Sequence, residues 1–240
     1  MRHAYGPLRD QYGELTLPPI PAQEGPFPVA VLVHGGGWSA RYDWTLMARL
    51  AQDLAARGWA AWNLEFRRVG PTSGGGWPQT GEDVLAGIDA LAALDEPLDL
   101  TRVVLIGHSS GGQLALWAGT RRSGPGGAVR VRAVAAQAPV TDLHAQRSGE
   151  VAAFIGDEPA AYDAASPLCL LPLGLPQLLV HGEADPVVPA RMSRAYTERA
   201  RAVGDRVTLV LRSSDGHNAH LDPGSVAWAA VVQWLEPWGP

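Results

Sequence analysis

A single cysteine, Cys169, leaves this chain without an internal disulfide and without a cysteine-based zinc site. Lysine is missing altogether. All 19 basic residues are arginine, which excludes a lysine nucleophile or Schiff base. Long hydrophobic runs are also absent: no stretch approaches the roughly 18 apolar residues that a membrane helix needs. Met1-Arg2-His3-Ala4-Tyr5-Gly6-Pro7 is not followed by an apolar segment of secretory type. The sequence therefore predicts neither a signal peptide nor membrane contact, and a cytoplasmic location. Positive charge is in deficit, with a net charge of −5 and a pI near 5.8, which argues against nucleic-acid binding.

What is present is an ordinary globular composition, 46% hydrophobic and 18% charged over 240 residues. That length is expected to form one domain, 1–240, with a substantial core and room for a pocket. Short apolar runs alternate with longer helical patterns, as βαβ units do, so the expected class is α/β with a mostly parallel sheet and helices on both faces. The pattern places strands near 12–17, 28–34, 59–65, 102–107, 131–137, 177–181 and 206–212. Helices fall near 43–57, 80–94, 110–121, 190–203 and 224–235. Asp43 and Thr80 read as N-caps, and Gly58 and Gly204 as helix stops. The stretch 141–176 is long for a connection between strands and is read as a lid or cap segment with short helices of its own.

The chemistry is concentrated where apolar runs end. Val103-Val104-Leu105-Ile106 runs directly into Gly107-His108-Ser109-Ser110-Gly111, and a helical pattern follows. A G-x-S-x-G between a strand and a helix is the context of a nucleophile elbow, with Ser109 as nucleophile. Its glycines permit a sharp turn that lifts the hydroxyl above the sheet edge. Val29-Ala30-Val31-Leu32-Val33 ends in His34-Gly35-Gly36-Gly37-Trp38, whose bare backbone N–H groups suit an oxyanion hole. The N–H of Ser110 is the other expected donor. His34, placed before the glycines, reads as a brace for the loop.

A serine needs a base and an acid. For the acid, Asp185 follows the run Leu178-Leu179-Val180 and precedes Pro186, and it is favoured over Asp142, Glu183 and Asp215. His181 reads as bracing that loop. For the base, His217 and His220 both follow the run Val207 to Leu211, and His217, preceded by a glycine, is favoured. The chain order serine, acid, histidine is that of α/β-hydrolases. His3, His108 and His144 lack ligand spacing, so neither metal nor cofactor is expected. Arg67 and Arg68 read as structural ion-pair partners beneath the site.

With these pieces in order, the chain resembles an α/β-hydrolase, and within that fold the small esterase group of arylformamidase-like (kynurenine formamidase-like) and BD-FAE type enzymes. The resemblance covers nearly the whole chain. It is carried further by Tyr5-Gly6, Leu64-Glu65-Phe66-Arg67-Arg68-Val69, Gly76-Trp77-Pro78, Asp83-Val84 and the spacing of His217 to Pro223. The last of these strengthens His217 over His220. The resemblance implies Gly36 and Gly37 as the loop's oxyanion donors. Three positions depart from the group's pattern: Gly37 stands where arylformamidases carry tyrosine, Asn218 replaces an aromatic residue, and Ser110 replaces alanine.

The function so implied is hydrolysis of small carboxylic esters through an acyl-enzyme on Ser109. Arylformamidase or small-amide hydrolysis is the alternative, and a non-catalytic binding protein on the same scaffold the remote one. Trp38, Trp77 and Phe154 are expected to wall the pocket for a small ester or amide. The chain start is expected to supply one strand where the full fold has two.

Overall fold

A computed structural model describes residues 1–19, 25–122, 124, 127–146 and 148–240. Eight strands form one sheet: β1 (Arg2–Ala4), β2 (Tyr12–Thr16), β3 (Phe27–Val33), β4 (Ala60–Leu64), β5 (Leu98–His108), β6 (Val131–Gln137), β7 (Gln177–Gly182) and β8 (Val207–Arg212). Their spatial order is β1-β2-β4-β3-β5-β6-β7-β8, antiparallel for β1 with β2 and β2 with β4, and parallel elsewhere. The chain start thus contributes two strands, not one. β1 is a three-residue edge strand, Arg2-His3-Ala4, with no apolar signature to reveal it. It is held by pairing with β2 and by Arg2 on Glu14 at 2.7 Å.

The helices are α1 (Ala48–Ala56), α2 (Gln79–Asp89), α3 (Ser110–Arg122), α4 (Gly149–Ile155), α5 (Pro159–Ala165), α6 (Arg191–Ala202) and α7 (Val226–Leu235). Side chains of a strand alternate between faces, so a sheet covered on both sides must be apolar throughout. β3 shows this residue by residue. Val29, Val31 and Val33 join one cluster with residues of α2, α3 and α6, while Ala30 and Leu32 join another with α1 and α7.

Helix starts differ in detail from the sequence reading. Asp43 does cap, accepting from the N–H of Thr45 at 3.0 Å, but the turn it caps is a 3-10 segment, Trp44–Met47, that precedes α1. Thr80 is not an N-cap. It lies inside α2, where its hydroxyl donates to the Arg67 carbonyl at 2.7 Å. The region 141–176 carries α4, α5 and a 3-10 turn, Pro167–Leu170, and its residue 147 lies outside the described residues. No helix among the described residues is long and apolar enough to cross a membrane.

Because β3, β5, β7 and β8 run in one direction, the loops that follow them emerge at one edge of the sheet. That edge is where an open α/β sheet gathers its functional groups.

Candidate active site

Ser109 sits at the tip of the turn between β5 and α3 with φ +56°, a left-handed conformation that a non-glycine residue adopts only under compulsion. The neighbouring glycines supply it. A Cβ on Gly107 would stand 2.2 Å from the Gly111 carbonyl oxygen, and one on Gly111 would stand 2.1 Å from that of Val33. The turn therefore packs backbone against backbone and tolerates no side chain at either end.

The Ser109 hydroxyl lies 2.9 Å from Nε2 of His217, and Nδ1 of His217 lies 2.7 Å from Oδ2 of Asp185. Since the carboxylate only accepts, Nδ1 carries the proton and the Nε2 lone pair faces the serine hydroxyl. Asp185 is itself tightly held. Its Oδ1 accepts from the N–H groups of Val187 and Val188 at 2.8 and 2.9 Å, and its Oδ2 also faces His181 Nε2 at 3.3 Å. Burial pushes its pKa up, but hydrogen bonds from His181, His217, Val188 and Val187 outweigh that and hold it far below the usual carboxylate range.

His181 is buried. Its Nε2–H reaches the Val188 carbonyl at 2.8 Å, which leaves Nδ1 to accept from the Ser193 hydroxyl at 2.7 Å. The other carboxylates considered from sequence lie elsewhere. Asp142 accepts from the His144 and Ala145 N–H groups, Glu183 pairs with Arg194, and Asp215 faces Arg212 at 3.6 Å. His220 is fully buried and, among the described residues, neither ring nitrogen has a hydrogen-bond partner. His144 pairs with Asp163 at 2.9 Å.

The loop after β3 turns through Gly36, Gly37 and Trp38, with φ of +108°, +61° and +55°. Among the described residues nothing accepts from the N–H groups of Gly36, Gly37 or Ser110. The Trp38 N–H donates to the Ser110 hydroxyl at 3.3 Å, tying the loop to the first residue of α3. His34 is buried, stacked on Phe66 with ring centres 4.4 Å apart and within hydrogen-bond distance of Glu65 and the Gly35 carbonyl. Arg67 grips buried Asp83 through two contacts of 2.7 and 2.8 Å, and Arg68 meets Asp10 at 2.9 Å. Both arginines are committed beneath the loop.

A cavity of about 370 Å³ opens over Ser109 and His217. Its apolar walls come from Leu46, Val140, Val151, Val188 and Leu221, and its polar ones from Gln146, Ser148, Glu150 and Asn218. Of the three aromatics expected to wall it, only Trp38 does. Phe154 is buried behind Trp38, stacked at 4.5 Å and 5°, and Trp77 packs edge-on against Trp117 and Phe154. The aromatic cluster thus backs the loop of Gly36, Gly37 and Trp38 and leaves the wall to other residues. Sequence reasoning missed Gln146, Ser148 and Glu150, which reach the cavity because the segment around α4 docks over it. It also missed the contact of His108, whose Nε2–H donates to the His217 carbonyl at 2.9 Å. The position of His108 beside the serine was the available signal.

Residues 15–199 match the BD-FAE family. Esterase LipC of Mycobacterium tuberculosis is 30% identical over 246 residues, which cover 91% of this chain and 58% of that protein. The chain thus spans less than two thirds of the length of that relative. A truncated carbohydrate esterase from gut microbiota superposes with a TM-score of 0.84 at 20% identity, covering 99% of this chain and 94% of its own. Esterase B from Lactobacillus rhamnosis (HN001) gives 0.85 at 19% identity, covering 99% and 83%. These likenesses establish the α/β-hydrolase fold.

Proposed function

We propose, since the chain belongs to the BD-FAE family of α/β-hydrolases, that it hydrolyses small carboxylic esters through a covalent acyl-enzyme on Ser109. The observation that carries this reading is the unbroken chain from the Ser109 hydroxyl through His217 to Asp185, at 2.9 and 2.7 Å, on the floor of a 370 Å³ cavity. The chain's likeness to esterases supports the same reaction class.

In this mechanism the Ser109 oxygen bonds to the ester carbonyl carbon as its proton passes to His217 Nε2. The carbonyl π electrons move onto oxygen, and the N–H groups of Gly36, Gly37 and Ser110 receive that charge. Losing one such donor costs about 3–4 kcal/mol of transition-state stabilisation. Collapse of the intermediate breaks the C–O bond, and the alcohol leaves with the proton held by His217. A water then attacks the acyl carbon, gives its proton to His217, and the carboxylic acid departs as Ser109 recovers its hydrogen. Asp185 keeps the imidazole in its Nδ1–H form and stabilises the imidazolium of each step.

The test is labelling by a fluorophosphonate together with turnover of p-nitrophenyl acetate. The chain is expected to be labelled and active, and Ser109→Ala to lose both. Retained turnover in Ser109→Ala overturns the reading. N-formylkynurenine assayed in parallel is expected to be the poorer substrate.

A further inference from the structure

Glu150 occupies a position that its own pairing does not explain. Its carboxylate lies against the oxyanion loop, with Oε2 and Oε1 at 3.0 and 3.4 Å from where a Cβ on Gly37 would stand. A side chain at 37 would press this carboxylate back by a few tenths of an ångström. The N-cap of α4 fixes the approach, since the Ser148 hydroxyl accepts from the Val151 N–H at 3.2 Å. Among the described residues its ion-pair partner is Arg41, at 4.0 Å, with a side chain 77% exposed and outside the cavity lining. A solvated pair of that length contributes almost nothing.

Among the described residues Glu150 is the single Asp, Glu or Arg lining the cavity. Gln146, Ser148 and Asn218 beside it are neutral. A carboxylate set in a partly apolar wall beside the oxyanion loop biases the potential where a substrate must bind. From this we infer that Glu150 is a specificity-determining residue of the proposed hydrolase site. It selects esters bearing a cationic group near the scissile carbonyl and disfavours those bearing a carboxylate there. The inference rests on the hydrolase reading and adds to it the charge of the substrate.

Two acetate esters of nearly equal shape test it, acetylcholine and its uncharged counterpart 3,3-dimethylbutyl acetate. At low ionic strength kcat/KM is expected to favour acetylcholine by about tenfold, a preference that shrinks as salt screens the half-exposed carboxylate. Glu150→Gln is expected to bring the ratio to about one, and Glu150→Arg to invert it. Each value is a ratio within one protein, so partial misfolding of a variant lowers both terms together and leaves the ratio interpretable. A wild-type ratio of one overturns the proposal, as does a preference that Glu150→Gln leaves unmoved. Glyceryl monoacetate is the third substrate. If Glu150→Gln selectively lowers its hydrolysis while the acetylcholine ratio starts at one, Glu150 reads hydroxyl groups instead of charge and the proposal falls. Turnover of these esters without the charge preference sinks this inference alone. No turnover of any ester and no fluorophosphonate labelling sinks the hydrolase reading with it.

Discussion

The residue beside Ser109 holds the backbone of the proposed base: Nε2–H of His108 donates to the His217 carbonyl at 2.9 Å, and the two rings lie 4.8 Å apart. The serine turn and the loop after β8 are thereby joined by a bond that touches neither reacting atom. His108→Ala removes that bond, worth about 1–1.5 kcal/mol, and is expected to lower kcat about tenfold with KM little changed. His108→Gln, whose amide can donate, is expected to recover part of the loss. Steady-state kinetics on p-nitrophenyl acetate reads the difference. His108 also lines the cavity, so a rise in KM with kcat unchanged in the alanine variant, without rescue by glutamine, would mean that it acts by contacting substrate instead.

The two histidines after β8 make opposite predictions. His217→Ala is expected to lower kcat by at least about a thousandfold, the scale of losing one member of a serine triad. Among the described residues neither ring nitrogen of His220 has a hydrogen-bond partner, so neither reaches Ser109 or Asp185, and His220→Leu is expected to keep activity within a few fold. Replacing an unpartnered buried polar ring by an apolar side chain of similar size is expected to leave Tm unchanged or raise it. A silent His217→Ala beside a dead His220→Leu would exchange their roles.

How much could be read from sequence follows from what each feature depends on. The Ser109 turn is readable because its two glycines answer a local steric demand, seen as 2.1 and 2.2 Å clashes for any Cβ. Strands β3, β5 and β7 are readable because burial on both faces makes long stretches of them apolar, and β8, a partly buried edge strand, because its run Val207-Thr208-Leu209-Val210-Leu211 is nearly so; their ends point to His34, Ser109, Asp185 and His217. Strand β1 is not, since three edge residues carry no periodicity. Nor is the division of labour among Trp38, Trp77 and Phe154. An aromatic residue advertises burial but not which side of a loop it covers. Glu150 is hidden for a related reason: its place is set by how α4 docks, through bonds such as Trp77 N–H to the Phe154 carbonyl at 2.8 Å.

The stacked pair Trp38 and Phe154 couples stability to the proposed oxyanion loop. Trp38 holds a left-handed φ of +55°, its indole N–H donates to Gln113 at 2.9 Å, and Phe154 covers its ring. Phe154→Ala is expected to cost about 3–5 kcal/mol of stability, because it opens a cavity in a packed aromatic cluster. It is also expected to lower kcat more than it raises KM, since the N–H groups of Gly36 and Gly37 lose their backing. Denaturant unfolding and steady-state kinetics on the same preparation measure both. A stability loss without any change in kcat would show that the loop is held by other contacts.

Two buried histidines should make the protein sensitive to mild acid. Burial, helped by the neighbouring histidines, lowers His108 to about 3 and His220 to about 4, against an ordinary 6.5. Between pH 6.5 and those values the unfolded chain binds protons at both positions and the native chain does not, so stability falls as pH falls. At pH 5 each histidine removes about 2 kcal/mol relative to neutrality, from 1.36 kcal/mol per unit. Asp185 acts lower down. Its depressed pKa gives stability that is complete above the ordinary carboxylate range and lost only below it, so it does not alter the comparison at pH 5. Urea unfolding at pH 7 and pH 5 is therefore expected to show a loss of about 4 kcal/mol in the wild type and about half that in His220→Leu. An equal loss in both proteins would mean that His220 is not protonated on unfolding in this range, and that carboxylates or His108 alone carry the acid sensitivity.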